Sequence, residues 1–467
     1  GLINNINNYF NNLSYSQEYS KDILISVILI IILGCKTVND DCNLNDYPNA
    51  PIIEWNTNVD GSEEESHGHY ILSCSDGGYL QIGETGVIPN DTKILIVKTN
   101  PFGQLIWKKE FGNNGINLGN SAVETPNGYI ICGAINGNSV IIKLNKTNGN
   151  QEFYQTIDNG GNDAYEHLIQ TPNGMLAVGY NNAEDNTNTF FTEGNGYITF
   201  LDSNGIKING ISINNYLAQA YRIGCYNNKY YISGLTENAE DYGLIKIDSI
   251  GNIIWHRTYG GTSSDHCFGM DIGENGLIFL TGHTLSGSEN WDTYTMKIDT
   301  AGNKIWEQKI GNPRGFEAKF IHDEAWDIKS TNDGGCIVIA GTGDEYGRYK
   351  RRCGNEGDNS NTWHIYLIKF DINGHLEWQR TYGGGKNIDW AGEAIDLTYD
   401  GGGIIAIDNG QFGFLRLNNI QNTLSNDLRY VSPPSFKLYN NHPNPFNPVT
   451  TIEYELPENG LVSVTVY

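Results

Sequence analysis

None of the eight cysteines forms a Cys-x-x-Cys pair, which excludes zinc-ribbon and thioredoxin-type sites. No Ser nucleophile elbow, P-loop or dinucleotide fingerprint occurs either, so the motif-borne hydrolase and nucleotide chemistries have no foothold. Basic residues are few, with 29 Lys and Arg against 54 Asp and Glu and a formal net charge of -25. Such a field repels nucleic acid and anionic lipid, so no nucleic-acid partner is expected. It suits a solvated acidic surface and could attract Ca²⁺, the one metal the composition suggests. Proline is scarce at 13 residues, and the apolar run 23–33 is about eleven residues, too short to span a bilayer as a helix.

Glycine is abundant instead, with 56 residues in 467, and asparagine is frequent beside it. Together they supply many tight turns. One phrase recurs: an apolar strand, an Asp/Asn-Gly turn, a second apolar strand ending in Gly, a variable loop, a strand ending Lys-x-Asp/Asn, an x-x-Gly turn and a Trp strand. The turn appears seven times, at 76–77, 127–128, 173–174, 227–228, 275–276, 333–334 and 400–401. These pairs between alternating apolar runs predict two-residue hairpins with positive φ at the central residues. Four short antiparallel strands per repeat of roughly 40–60 residues predict a seven-bladed β-propeller over 51–420. The seventh copy stops at Phe412–Leu417 without a Trp strand, while Ile52-Ile53-Glu54-Trp55 precedes the first copy. The early segment is therefore expected to complete the last blade and hide the open sheet edge. Cys74, Cys132 and Cys336 fall in or beside apolar strands and read as buried thiols, whereas Cys353, in a polar loop, is the disulfide candidate.

The Asp-x-x-Gly-x-x-x-Trp phrase, as in Asp248…Gly251…Trp255 and Asp299…Gly302…Trp306, resembles the tryptophan-docking repeats of quinoprotein-like propellers. The wider Trp…Tyr-Gly-Gly…Asp-Gly-Gly pattern is similar to repeat propellers of secreted bacterial proteins. That resemblance implies a fold and carries no activity. Quinoprotein dehydrogenases hold their cofactor with an adjacent Cys-Cys pair or a comparable clamp; this chain has no Cys-Cys, so no cofactor is implied.

Both ends read as addresses. Residues 1–20 are Asn-rich and expected to be a non-structural extension. Residues 21–35 have the shape of a signal peptide, and Ile32-Leu33-Gly34-Cys35 resembles a bacterial lipobox, which implies lipidation of Cys35. Residues 36–50 and 421–435 read as linkers. From Phe436 the chain carries Asn444-Pro445-Phe446-Asn447-Pro448 and then Thr451-Ile452-Glu453-Tyr454. This resembles the start of the C-terminal sorting domains, β-sandwich modules, of type IX secretion substrates in Bacteroidetes-like bacteria. The resemblance implies export through that machinery, with 436–467 the first part of the module. The expected location is extracellular or on the outer-membrane surface, with a membrane contact only through a lipid anchor.

Candidate chemistry lies just before the inner strand of each repeat. His67, His69, Tyr165, Glu166, Tyr221, His266, Glu324, Trp326, Trp390 and Glu393 fall there. If these side chains converge on one channel mouth, aromatic faces and carboxylates would suit an extracellular glycan or protein. The leading expectation is therefore a non-catalytic binding module. One alternative is a polysaccharide-degrading enzyme, a lyase with His as base and Tyr as acid, before a hydrolase with paired carboxylates. The other is an outer-membrane scaffold lipoprotein. His67-Gly68-His69 beside Glu63, Glu64 and Glu65 is a possible metal group, since residues two apart on a strand share a side. Arg348, Lys350, Arg351 and Arg352 form a basic spot in the insertion 343–362.

Overall fold

The computed structural model describes residues 47–421 apart from 48, 63–64, 88–89, 184–193, 237–239, 346–351, 354–357 and 386–387, together with 437–438 and 454–455. The signal-peptide and lipobox segment, Glu63 and Glu64, Arg348, Lys350 and Arg351, and nearly all of the sorting segment lie outside those residues. Chain contacts divide the protein after Ile420. Of the second unit only the antiparallel pairing of Lys437–Leu438 with Tyr454–Glu455 is described.

The first unit is an all-β, seven-bladed propeller of four-stranded antiparallel sheets. Its inner strands are Glu65–Ser73, Asn117–Thr125, Asn162–Thr171, Gln219–Tyr226, Asp265–Ile272, His322–Ser330 and Ala391–Leu397, which begin blades 1 to 7. Each inner strand contacts the inner strands of both neighbouring blades, which closes the ring around a central channel. The middle strands are buried on both faces and read as continuous apolar runs, for example Gly128–Ile135 and His364–Phe370. Apolar clusters fill all seven seams between blades. In one, Leu80, Ile82, Ile94 and Ile96 of blade 1 meet Tyr129, Ile131, Val140 and Ile142 of blade 2.

Closure follows the expected route. Ile53–Asn58 pairs antiparallel with Phe412–Leu417 as the outermost strand of blade 7. The first and last turns of chain thus hold one another, and the edge that Phe412–Leu417 would otherwise present is covered.

The turns differ from the two-residue expectation. At Asp76-Gly77 the loop is three residues: Gly77 N donates to Cys74 O (2.9 Å) and Cys74 N to Gly78 O (2.8 Å). The turns at 275–276, 333–334 and 400–401 are built the same way. Here the glycine alone takes positive φ, +79° at Gly77 and +80° at Gly334. Of the seven, only Asn227-Asn228 is a two-residue loop with both central φ positive, +49° and +57°. At 127 and 173 the preceding prolines, Pro126 and Pro172, fix negative φ and exclude that turn type.

The repeated Asp and Lys then find a structural reason. Asp76 accepts from Gly78 N (2.9 Å) within its turn and from Lys98 Nζ (3.0 Å) on the third strand. Asp333 accepts from Lys369 Nζ (2.7 Å), and Asp400 is gripped by Arg416 Nη2 (2.7 and 2.6 Å). The Lys369 ammonium is almost wholly buried and also meets Glu377 (2.9 Å) and the Phe370 carbonyl (3.0 Å). Lys369→Met keeps the volume but strips these partners. It is expected to destabilise the protein by about 1–2 kcal/mol in urea unfolding, the cost of one buried charge-assisted contact and an orphaned carbonyl.

The outer-strand tryptophans bridge blades. Trp107 of blade 1 donates from Nε1 to Lys146 O (3.4 Å) of blade 2, and Trp306 of blade 5 to Ile372 O (3.2 Å) of blade 6. Each indole lies against the turn glycine of the following blade, where a Cβ would come within 2.6 Å of the ring. Cys74, Cys132, Cys267 and Cys336 are buried free thiols and Cys225 is an exposed one. Cys353 sits in a two-residue pairing with Asp358–Asn359, and its side chain lies outside the described residues.

Candidate functional site

Every inner strand carries a β-bulge at the same level, and that of blade 3 has a second irregularity at Asp163. The register skips His69, Asn120, Glu166, Tyr221, Phe268, Trp326 and Glu393, one in each blade from 1 to 7. A bulge leaves its extra residue out of the ladder and re-aims its side chain. The cause is visible across the pairing. In blades 1 to 5 the residue opposite the bulge start is Gly83, Gly133, Gly179, Gly234 or Gly282. A Cβ at any of these would overlap a carbonyl oxygen of the inner strand, at His67, Leu118, Ala164, Gln219 or His266. In these five blades the glycine near the end of the second strand is the residue that admits the bulge; in blades 6 and 7 Ala340 and Ile407 stand at that position.

The ring of bulged residues divides into two arcs. Tyr221, Phe268 and Trp326 are neighbours, with centroid separations of 5.0 Å and 4.7 Å. Glu393, His69, Asn120 and Glu166 make the polar arc. His69 bonds the buried Glu84 carboxylate on the adjacent strand. Burial works against its charge, yet Glu84, reinforced by Glu393 and Asp408, pushes the imidazole up to about 9. Burial raises the Glu393 carboxyl to about 8, helped by Asp408 and opposed by His69. Burial likewise raises Glu166 to about 7, with Arg222 and His69 opposing.

Above the ring, on the side of the blade-to-blade connections, a cavity of about 650 Å³ opens between blades 6, 7 and 1. It is lined by Glu65, His67, Glu324, Trp326, Glu345, Trp363, Ile388, Asp389, Ala391, Glu393 and Asp408–Gly410. His67 contacts Glu65 (3.0 Å) and Asp408 (3.6 Å), and His322 meets Glu324 (3.1 Å). Asp389 accepts from Trp363 N (2.8 Å). The Trp363 indole lies on Gly341 and Gly343, where a Cβ would come within 3.0 Å and 2.8 Å of the ring. Bare backbone beneath the indole is what lets it form the cavity wall.

Of the residues expected from sequence, His67, Glu324, Trp326 and Glu393 come together in this mouth. His69, Glu166 and Tyr221 belong to the ring at other points around the channel. Tyr165 is buried in the seam of blades 2 and 3. Trp390 packs in the seam of blades 6 and 7. His266 stacks on Trp291 at 4.7 Å within a cluster that includes Phe268 and His283. Trp363, Glu345 and Asp408 were not anticipated: Trp363 and Glu345 arrive from loops and Asp408 from the end of the strand Gly403–Asp408, where the Asp408-Asn409-Gly410 turn was its sequence signal. Among the described residues no group of three or more His, Cys, Asp or Glu side chains is arranged to hold a metal ion.

Beneath the ring, His167 Nδ1 accepts from Ile223 N (3.4 Å), which leaves Nε2 to carry the proton toward Tyr70 Oη at 3.5 Å. Burial, with Arg222 and Lys329 adding to it, holds this imidazole well below its ordinary range, so it stays neutral.

No protein-family model matches the chain, and no curated protein does. Solved structures do. The fold is shared with virginiamycin B lyase from Staphylococcus aureus, crystallised with quinupristin, at 14% identity and a TM-score of 0.50, covering 78% of this chain and 99% of that one. It is shared also with hydrazine synthase from Kuenenia stuttgartiensis, at 10% identity and a TM-score of 0.51, covering 77% and 97%. At such identities the likeness is one of fold alone.

Proposed function

We propose that this protein is an exported, non-catalytic binding module that takes a segment of an extracellular glycan or protein into its channel mouth. The observation that carries the reading is the cavity itself. It lies within the size range of ligand sites and combines two indole walls, Trp326 and Trp363, with inward carboxylates. The address follows from the resemblances at the two ends: a signal peptide with Cys35 as lipid acceptor, and a type IX sorting module beginning at Phe436. The Trp-repeat resemblance fits the docking of Trp107 and Trp306 on the next blade.

Two features weigh against the lyase alternative. Elimination on a uronic acid is helped by a cation at the substrate carboxylate, and among the described residues the mouth is lined by carboxylates with no Lys or Arg. The His–Tyr pair lies below the ring, and its imidazole has its acceptor nitrogen engaged by a backbone amide. A base must have a free lone pair within reach of the proton it takes.

The test is binding of the full chain to glycan and peptide arrays, alongside Trp363→Ala. Loss of an indole wall is expected to weaken binding at least tenfold, about 1.4 kcal/mol. Binding to neither array, or binding unchanged in Trp363→Ala, contradicts the reading.

A further inference from the structure

The described lining of the mouth has a strongly one-sided charge. Among the described residues Glu65, Glu324, Glu345, Asp389, Glu393 and Asp408 line it, and no Lys or Arg does. Some of these carboxylates have local partners: His67 serves Glu65 and Asp408, His322 serves Glu324, and the Trp363 amide serves Asp389. Glu393 is different. The bulge in its strand aims it inward, and among the described residues it accepts no hydrogen bond; Asp408, Glu324 and Glu84 crowd it with like charge, against His69 alone. A carboxylate held so is only partly compensated by the protein.

The second, independent feature is the pair of indoles. Trp363 rests on the bare backbone of Gly341 and Gly343, and Trp326 is thrust into the mouth by its own bulge. Indole faces attract cations, most strongly where water is excluded. Carboxylates and indoles around one cavity match a planar guanidinium, which can fork onto carboxylates and stack on an aromatic face at once. A uronate or other anion meets repulsion from the described carboxylates. The net charge of -25 also steers a basic partner toward the protein.

We propose that the group seated in the channel mouth is an arginine or lysine side chain presented by a partner protein, held between Trp326 and Trp363 and neutralised by Glu393, Glu324 and their neighbours. This rests on the reading of the mouth as a binding site and names its ligand class. A titration signature follows. Glu393 is faced by His69 and Glu84 of blade 1, Asp408 of its own blade and Glu324 of blade 6, and its carboxyl sits at about 8. An entering cation favours the carboxylate, so binding releases a proton below that pH, and affinity rises from pH 6 toward pH 8.

The full chain is titrated calorimetrically with Nα-acetyl-arginine methylamide, methyl β-glucoside, glucuronate and glucosamine, in buffers of different ionisation heat. The arginine probe is expected to bind at least tenfold more tightly than the glucoside or glucuronate, with proton release at pH 6.5. Glu324→Gln/Glu393→Gln is expected to lose at least tenfold of that affinity while retaining the wild-type circular dichroism spectrum and a cooperative melt. Tighter binding of the glucoside overturns the cation proposal and leaves the glycan-binding module standing. Tighter binding of glucosamine than of the arginine probe overturns the assignment to a protein partner. If no probe binds while the chain still captures an arrayed ligand, the mouth is not where a cationic group enters. Failure to bind any array or probe removes the binding-module reading with it.

Discussion

Deleting residues 47–60 is expected to abolish the cooperative melting transition, or to lower its midpoint by at least about 10 °C. The deleted segment contains Ile53–Asn58, the outer strand of blade 7, and the anchors around it. Tyr382 Oη and Arg380 Nη1 donate to Pro51 O at 2.8 Å and 3.1 Å. Ile52 N donates to Asn418 Oδ1 at 3.0 Å, and Asp60 accepts from Phe412 N at 2.9 Å. Trp55 lies against Gly103 of blade 1 and 5.8 Å from Tyr79. Without the segment, Phe412–Leu417, a strand with no exposed residue, becomes an edge with unpaired backbone. Trp55→Ala keeps the ladder and loses only the docking contact, so it is expected to cost about 2 kcal/mol. Calorimetry of the three proteins checks both statements; equal midpoints for the deletion and the wild type would show that the ring does not depend on this closure.

Glu393→Gln is expected to stabilise the protein at alkaline pH and to leave it unchanged near pH 5. The folded carboxyl sits at about 8 against an ordinary value of 4.5. Between those values the folded state keeps a proton that the unfolded chain has released, so stability falls as pH rises through the window and levels off above it. Glutamine removes the cost. At pH 8.5 the gain is expected to be roughly 2 kcal/mol, less than the full shift implies because solvent reaches this half-buried group. Urea unfolding at pH 5 and 8.5 measures it. A variant less stable than wild type at pH 8.5 would mean that Glu393 is compensated by a partner in the folded protein. The His69–Glu84 pair has the same direction: its contribution is complete below the ordinary imidazole value of 6.5 and is lost as pH rises through about 9.

The repeat could be read from the sequence because each of its parts has a local cause. The turn residues, the apolar middle strands and the displaced Trp55 strand all act through nearest neighbours, and blade number and closure followed from them. Loop length in the turns was less legible, since Asp-Gly serves both two- and three-residue loops, and the Asp side chain is also held by a lysine or arginine on the third strand. The site was half legible. The stretches expected just before the inner strands lie, Trp390 apart, within them, and which side chain faces the channel depends on a one-residue register slip. Tyr165 and Glu166 show this: adjacent in the chain, one is core and the other stands in the ring. In blades 1 to 5 the glycine opposite the bulge was its signal, readable once its steric role is known; Ala340 and Ile407 gave none in blades 6 and 7. Trp363, from a loop, and Asp408, from a strand end, meet only as two blades come together, which no local pattern encodes.

The central claim, that a ligand is held in the channel mouth, is tested most directly by hydrogen–deuterium exchange of the full chain with and without an array-identified ligand. Protection is predicted in the segments around 65–67, 324–326, 388–393 and 408–410, which line the cavity. Protection confined to the outer strands Leu105–Phe111 and Ile253–Tyr259 instead would contradict the account and move the binding surface to the rim of the propeller.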